Sequence, residues 1–288
     1  MSKKSTNVLG EPFLRWAGSK RQLIPELSRY WDKKYDRYVE PFAGSASLFF
    51  NIYPKSAILG DINQELILTY KQIKRAPNDV IIALKLLNKG KRNYLELRSI
   101  NPRTLPSNKR AARFIYLNRF CFNGLYRTNQ KGQFNVPYSG NRTGGLPSSR
   151  LLLQCSKALQ IAELLHGNFD VSLKKVKKGD FVYMDPPYSV NATRVFNEYD
   201  PSSFNNDHLD LLKKWMIKLD RNGVTFLVSY ADSEEGDFLG KGFNKRVIEV
   251  RRNIAGFSAN RRRTKELLIS NVKPKPIGGI NVSKSKKY

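Results

Sequence analysis

The residues best suited to chemistry are Asp185-Pro186-Pro187-Tyr188, reached directly from the apolar run Phe181-Val-Tyr-Met184. A carboxylate here can accept a hydrogen bond from an exocyclic amino group. The two prolines fix φ and carry no N–H, which leaves their backbone carbonyls as outward-facing acceptors. The tyrosine that follows offers a face to a planar base, as in enzymes that extrude a base from the duplex into a pocket. Acceptors on both amino hydrogens hold the nitrogen and aim its lone pair at an electrophile, so no strong base is required. The plainer alternative, a strand-terminating turn, is weakened by the apolar strand that precedes it.

Two other stretches could deliver a ligand to that turn. Arg37-Tyr-Val-Glu-Pro-Phe-Ala-Gly-Ser-Ala-Ser-Leu-Phe-Phe50 reads as a short strand, a turn of small residues and an apolar helix, an arrangement that lets backbone approach a ligand closely. It lacks the lysine-bearing glycine pattern of a phosphate-cradling loop. Asp61 ends a second strand-like run, 17 residues beyond Gly44, where a carboxylate can accept from ribose hydroxyls. The expected ligand is therefore a nucleoside without a pyrophosphate. Upstream, Phe13-Leu-Arg-Trp-Ala-Gly-Ser-Lys20 leads into an amphipathic segment with Leu23, Ile24 and Leu27 on one side. Taken alone, Trp16 reads as a core aromatic, with a ligand platform as the alternative.

The 288 residues carry 51 Lys and Arg against 24 Asp and Glu, a formal charge of +27. A field of that sign points to a polyanion, with nucleic acid the commonest. Two cysteines, Cys121 and Cys155, exclude a disulfide framework, and two histidines, His166 and His208, do not supply a usual zinc site, so no metal is expected. No apolar run reaches the ~20 residues of a membrane span, and no signal-peptide core is present. A cytoplasmic protein is expected.

The order of elements follows a βα rhythm, with a helix from Asn63 to Ile73 burying Leu66, Ile67 and Tyr70, until it breaks down after that helix. Between Lys89 and Arg150 there are 13 basic residues and one acid, Glu96, interleaved with Tyr94, Phe114, Tyr116, Phe120, Phe122 and Tyr126. This mixture suits phosphates and bases. Ala111 to Asn118 reads as a helix, Phe122 to Arg127 as a loop, and Asn129 to Pro147 as a long polar loop of the kind that is more often functional than ornamental. Regular structure resumes with a helix from Leu151 to Leu165, then Asn168-Phe-Asp170 before a strand-like Val171-Ser-Leu. A long loop, Ser189 to Phe204, is expected over the pocket. Leu209, Leu212, Met216 and Leu219 mark an amphipathic helix, and Val224 to Ser229 a buried strand. Strands at Arg246 to Val250 and Glu266 to Ser270 flank a loop with five arginines and suggest a hairpin at one sheet edge. The tail from Lys273 is expected to fray.

Taken together, Phe13 to Lys20, Val39-Glu-Pro-Phe-Ala-Gly44, Gly60-Asp-Ile-Asn63, Asn118-Arg119, Asn123-Gly-Leu125, Phe134-Asn-Val-Pro137 and Asp185 to Tyr188 occur in the order of a known family. The chain resembles the Dam-type, D12-class site-specific DNA adenine-N6 methyltransferases from about Phe13 to Asn271. The resemblance implies an α/β fold, a Rossmann-like methyltransferase sheet with an inserted, mainly helical target-recognition domain. It divides the chain into a catalytic domain of residues 11–74 and 165–273, a recognition domain of residues 75–164, and basic tails at 1–10 and 274–288. It implies S-adenosyl-L-methionine as methyl donor, S-adenosyl-L-homocysteine as product and double-stranded DNA as partner, in a monomer of bacterial, archaeal or phage origin. By matching position, Trp16, Lys20, Phe42, Gly44, Asp61, Phe169 and Asp185 are implied to contact the cofactor, which reverses the isolated reading of Trp16. Asp185, Pro186, Pro187 and Tyr188 are implied to hold a flipped adenine. Arg15, Arg119, Phe122, Asn123, Leu125, Arg127 and Pro137 fall where the family contacts or wedges into its site, and Leu125, Arg127 and Pro137 favour GATC. Ser19 and Ala46 stand where family members often carry glycine, Arg15 replaces a lysine, and Phe122 replaces a tyrosine that stacks in the duplex. A cognate restriction endonuclease is a possible partner. An adenine methyltransferase acting on RNA and a catalytically silent DNA-binding protein are the competing readings.

Overall fold

Tyr38–Glu40 (β1), Ala57–Asp61 (β2), Ala162–His166 (β3), Phe181–Met184 (β4) and Thr225–Ala231 (β5) are short, mostly buried runs that pair in parallel. Asn244–Arg251 (β6) and Arg263–Ser270 (β7) form an antiparallel hairpin that completes one seven-stranded sheet, in the order β3-β2-β1-β4-β5-β7-β6. The hairpin expected at a sheet edge is therefore present, with β7 antiparallel to β5 and β6 outermost. The computed structural model describes residues 10–140, 145–188, 204–251 and 263–276. The loop expected over the pocket lies outside the described residues from 189 to 203, and the arginine-rich loop does so from 252 to 262, with Arg251 and Arg263 forming strand ends.

Side chains that alternate along each strand build two cores, one on each face. Tyr38, Leu59, Phe181, Tyr183, Leu227 and Leu268 face one side. There they meet Ile24–Leu27 (α1), Ser47–Ile52 (α2), Gln64–Arg75 (α3), Pro77–Lys85 (α4), Lys91–Ser99 (α5), Ser107–Phe120 (α6) and Ser149–Leu159 (α7), directly or through one another. Val39, Ile58, Val182, Met184, Phe226 and Val228 face the other, against Phe169–Leu173 (α8), Asn206–Arg221 (α9) and Glu234–Gly240 (α10). The helix expected from Asn63 is α3, with the Asn63 side chain accepting from the Leu66 amide and Leu66, Ile67 and Tyr70 buried. A third cluster, of Tyr94, Tyr116, Leu117, Phe120, Cys121, Phe134 and Val136, lies within the basic, aromatic stretch.

Three local expectations are corrected. The helix from Leu151 ends at Leu159, and residues 162–165 are strand β3, paired with β2. Leu164 and Leu165 satisfied a helical period, yet the buried alternation Ala162, Leu164 is that of a strand on the sheet, and residues 162–164, expected in the insert, belong to it. Val171-Ser-Leu is helical, part of α8, because Asn168 caps that turn by accepting from the Phe169 amide. The tail does not fray at Lys273: the Lys275 amide donates to the Arg29 carbonyl at 2.9 Å, Arg29 Nε returns a bond of 2.9 Å to the Lys275 carbonyl, and the Lys275 ammonium lies 2.8 Å from Asp32.

Candidate active site

Strand order reverses direction between β1 and β4, and in open α/β sheets the crevice beyond the carboxyl ends of the strands at such a point is where ligands bind. The Pro41–Gly44 turn leaves β1 here and Asp185–Tyr188 leaves β4. Both line one cleft of about 2570 Å³, together with Trp16, Lys20, Asp61, Phe169 and, on the far wall, Arg98, Arg103 and Arg127. Pockets for single small molecules hold roughly 300–1,000 Å³, so this cleft has room for more than one ligand.

The β1 turn is built for close approach. Gly44 has φ of 47°, and a Cβ there would lie 2.8 Å from Trp16 Cδ1. Only glycine allows the indole to rest on this backbone. The Gly44 amide donates to Asp61 Oδ2 at 2.9 Å, the Asn63 amide donates to Asp61 Oδ1 at 2.8 Å, and the Gly44 carbonyl accepts from the Tyr70 hydroxyl at 2.7 Å. Burial pushes the Asp61 carboxyl above its ordinary range, opposed by these two amides. Phe42 stacks on Phe169, with ring centres 5.2 Å apart, and both flank the Asp61 end of the cleft. Trp16 stacks at 6.4 Å on Tyr126, so the tryptophan joins the cleft wall to the third hydrophobic cluster, against which Tyr126 packs. Ser19, Ser45 and Ser47 form a ring of hydroxyls at 2.9–3.2 Å beside the same turn.

At the other lip, the Lys20 ammonium lies 2.7 Å from Asp185 Oδ1 and 3.2 Å from Glu266 Oε1. Burial disfavours the ammonium, but Asp185, Tyr188 and Glu266 outweigh that effect and raise its pKa. The Ser229 hydroxyl donates to the same Asp185 oxygen at 2.9 Å, and the Tyr183 hydroxyl lies 2.9 Å from Ser229 Oγ. The Tyr188 hydroxyl donates to Glu266 Oε1 at 2.6 Å, its ring meets Tyr230 edge-on at 5.2 Å, and Lys20 Nζ lies 5.2 Å from its centre. Burial above all, helped by the Asp185 and Glu266 carboxylates and opposed by the Lys20 ammonium, holds the Tyr188 phenol protonated. Pro186 is buried and Pro187 exposed.

Five of the seven remaining sequence-predicted residues gather on one ribbon. Cys121 bridges to Tyr138 and Thr128 to Phe134, the Phe122 amide donates to the Pro137 carbonyl, and the Asn135 amide donates to the Arg127 carbonyl. Phe122, Asn123, Leu125, Arg127 and Pro137 are exposed on this ribbon, above a floor of Tyr94, Phe134 and Val136. Asn118 grips the Arg15 backbone with two bonds, of 2.9 and 2.6 Å, and a Cβ on Gly124 would lie 2.8 Å from Arg15 Cβ. Arg119 differs from the others: its guanidinium donates twice to the Gly145 carbonyl, at 3.0 and 2.8 Å, and so braces the loop.

A family model for D12 class N6 adenine-specific DNA methyltransferases matches residues 16–254. The chain belongs to this family. The D12-class chain is 35% identical over 269 residues to the Type II methyltransferase M1.LlaDCHI of Lactococcus lactis subsp. cremoris, covering 90% of this chain and 95% of that one. It is 35% identical over 269 residues to the Type II methyltransferase M.MjaIII of Methanocaldococcus jannaschii, covering 85% and 92%. It is 31% identical over 262 residues to a DNA adenine methylase of Vibrio cholerae, covering 89% and 94%. This class implies use of S-adenosyl-L-methionine and action on DNA. Among the described residues no helix is long and apolar enough to cross a membrane.

Sequence reasoning missed four polar groups of this methyltransferase's site: Tyr183 and Glu40, which line the cleft, and the buried Glu266 and Ser229, which contact Tyr188, Lys20 and Asp185 behind its wall. Glu266 did leave a signal, a lone acid heading the apolar run Leu267-Leu-Ile269 on a buried strand. Glu40 is 3% exposed and lines the cleft beside the β1 turn, where its side chain accepts from the Tyr38 hydroxyl at 3.0 Å.

Proposed function

We propose that this enzyme transfers a methyl group from S-adenosyl-L-methionine to N6 of an adenine flipped out of a short duplex DNA site, with GATC the favoured sequence. The observation that carries the reading is the meeting of the two turns at the switch point: the Gly44 turn, held to Asp61, lines the same cleft as Asp185-Pro-Pro-Tyr188. The donor set fits the cofactor. Asp61 keeps lone pairs for ribose hydroxyls while two amides fix its orientation, Phe42 and Phe169 offer apolar faces to an adenine ring, and Trp16 covers the glycine turn. When bound, the cofactor supplies an electrophilic methyl carbon on a positively charged sulfur.

Asp185 and the Pro186 carbonyl accept from the substrate amino group and orient its lone pair, and Tyr188 stacks on the base. Asp185 would receive, through that hydrogen bond, the proton the nitrogen sheds once methylated, with the donor leaving as the neutral thioether S-adenosyl-L-homocysteine. Residues 75–161, the expected insert less the three residues that belong to β3, act as the recognition unit. Phe122 wedges into the duplex, Arg15 and Arg127 read base edges, where arginine can bond guanine O6 and N7, and Asn123, Leu125 and Pro137 complete the contact. The exposed apolar rings and side chains of Phe122 and Leu125 on a basic ribbon support this assignment. The two relatives named Type II methyltransferase support pairing with a restriction endonuclease.

The test is a single-molecule map of N6-methyladenine on plasmid from a methylation-deficient host expressing the full chain. Methylation confined to GATC is the expected result; methylation at another motif overturns the site assignment, and none at all overturns the reading. Asp185→Ala should abolish turnover while leaving DNA retention largely intact.

A further inference from the structure

Glu266 lies on β7, outside both turns that meet at the cleft, and is 1% exposed. A single oxygen of its carboxylate, Oε1, accepts from the Tyr188 hydroxyl at 2.6 Å and lies 3.2 Å from the Lys20 ammonium. That ammonium sits closer, at 2.7 Å, to Asp185 Oδ1, an oxygen that also accepts from Ser229. One buried cation is thus shared by two carboxylates, one of which is the acceptor assigned above to the substrate amino group. The arrangement poses a competition. A carboxylate engaged by an ammonium is a weaker acceptor for a neutral amino group, because the cation offsets the negative charge that makes a hydrogen bond to an ionised acceptor roughly twice as strong as a neutral one. For Asp185 to hold the amino group, Lys20 needs another anion within reach, and Glu266 is already in place.

We propose that Glu266 is a positioning residue of the methyl-transfer site, which draws the Lys20 ammonium from Asp185 as the substrate amino group arrives and holds the Tyr188 ring in orientation through its hydroxyl. This rests on the reading that Asp185 receives the amino group. Only Lys20 moves between acceptors, and no proton changes owner. Ser229, fixed by Tyr183, keeps Asp185 in place during the exchange.

Glu266→Gln keeps an oxygen for Tyr188 and removes the charge that attracts Lys20. The experiment measures single-turnover methylation of a cognate duplex by the full chain, alongside the fluorescence of a duplex carrying 2-aminopurine in place of the target adenine, which reports flipping without chemistry. Wild type, Glu266→Gln, Tyr188→Phe and the double variant form a cycle, with melting temperature as the check on folding. The expected result is a single-turnover rate at least about tenfold lower for Glu266→Gln, an unchanged flipping signal, and the same fold-loss in the Tyr188→Phe background. A loss that disappears in that background would reduce Glu266 to a tether for the tyrosine and overturn the proposal, as would a wild-type rate or a loss confined to flipping. Asp185→Ala separates the two levels: turnover surviving it sinks the reading of Asp185 itself, whereas an inactive Asp185→Ala beside a fully active Glu266→Gln sinks only the role of Glu266.

Discussion

Gly44 and Asp61 are joined by a 2.9 Å hydrogen bond from the glycine amide to the carboxylate, which locks the turn after β1 to the end of β2. The same carboxylate holds the Asn63 amide at the start of α3. One side chain therefore sets the floor of the end of the cleft proposed above for the cofactor.

Gly44→Ala is expected to weaken cofactor binding more than tenfold, since the new methyl group would lie 2.8 Å from the Trp16 ring at a φ of 47°. Titration calorimetry with S-adenosyl-L-homocysteine measures the affinity. Wild-type affinity in the variant would mean that the indole can retreat without cost. Asp61→Ala should lose affinity and about 1–3 kcal/mol of stability as well, because two inward amides lose their acceptor.

Stability at the opposite end of the sheet depends on Arg37. Its guanidinium donates to both oxygens of Asp180, at 2.7 and 3.3 Å, and to the Lys175 carbonyl at 2.7 Å, while Asp180 is 0% exposed. Arg37→Ala strands a buried carboxylate, and breaking such a pair costs about 3–5 kcal/mol. Denaturant unfolding should register that loss, and a change below 1 kcal/mol would show that water reaches Asp180.

Glu40 supplies a pH dependence. Burial raises its carboxyl well above 4.5, the Tyr38 bond opposes this, and Asp185 and Asp61 add to the rise. A carboxyl raised in the folded state stabilises the fold fully below its unfolded pKa, and that contribution is lost as pH rises through the folded value. Glu40→Gln should therefore melt higher than wild type at neutral pH, with the gap closing toward pH ~4, the unfolded range for glutamate. A gap that widens on acidification would refute the assignment.

The two thiols should be inert. Burial pushes Cys121 up to about 11 and Cys155 up to about 12, so the thiolate needed for attack is scarce at neutral pH. A disulfide-exchange reagent should titrate neither in the native protein and both after denaturation.

The apolar periods along the chain were enough to place β1, β2, β4, β5, the hairpin β6–β7 and helices α3 and α9, because each buries a face whose spacing is written locally. Asp185-Pro-Pro-Tyr188 and the Gly44 turn were legible for the same reason: their chemistry rests on neighbouring residues. Where a local pattern suited two structures, tertiary pairing decided. Ala162–His166 became a strand because β2 offered an unpaired edge, and α8 became a helix because Asn168 caps it. The grouping of Lys20, Asp185, Tyr188 and Glu266 was decided by the tertiary structure alone. Those residues come from an N-terminal turn, the end of β4 and a strand 78 positions beyond Tyr188, and no local pattern records that one buried ammonium would be shared across that separation.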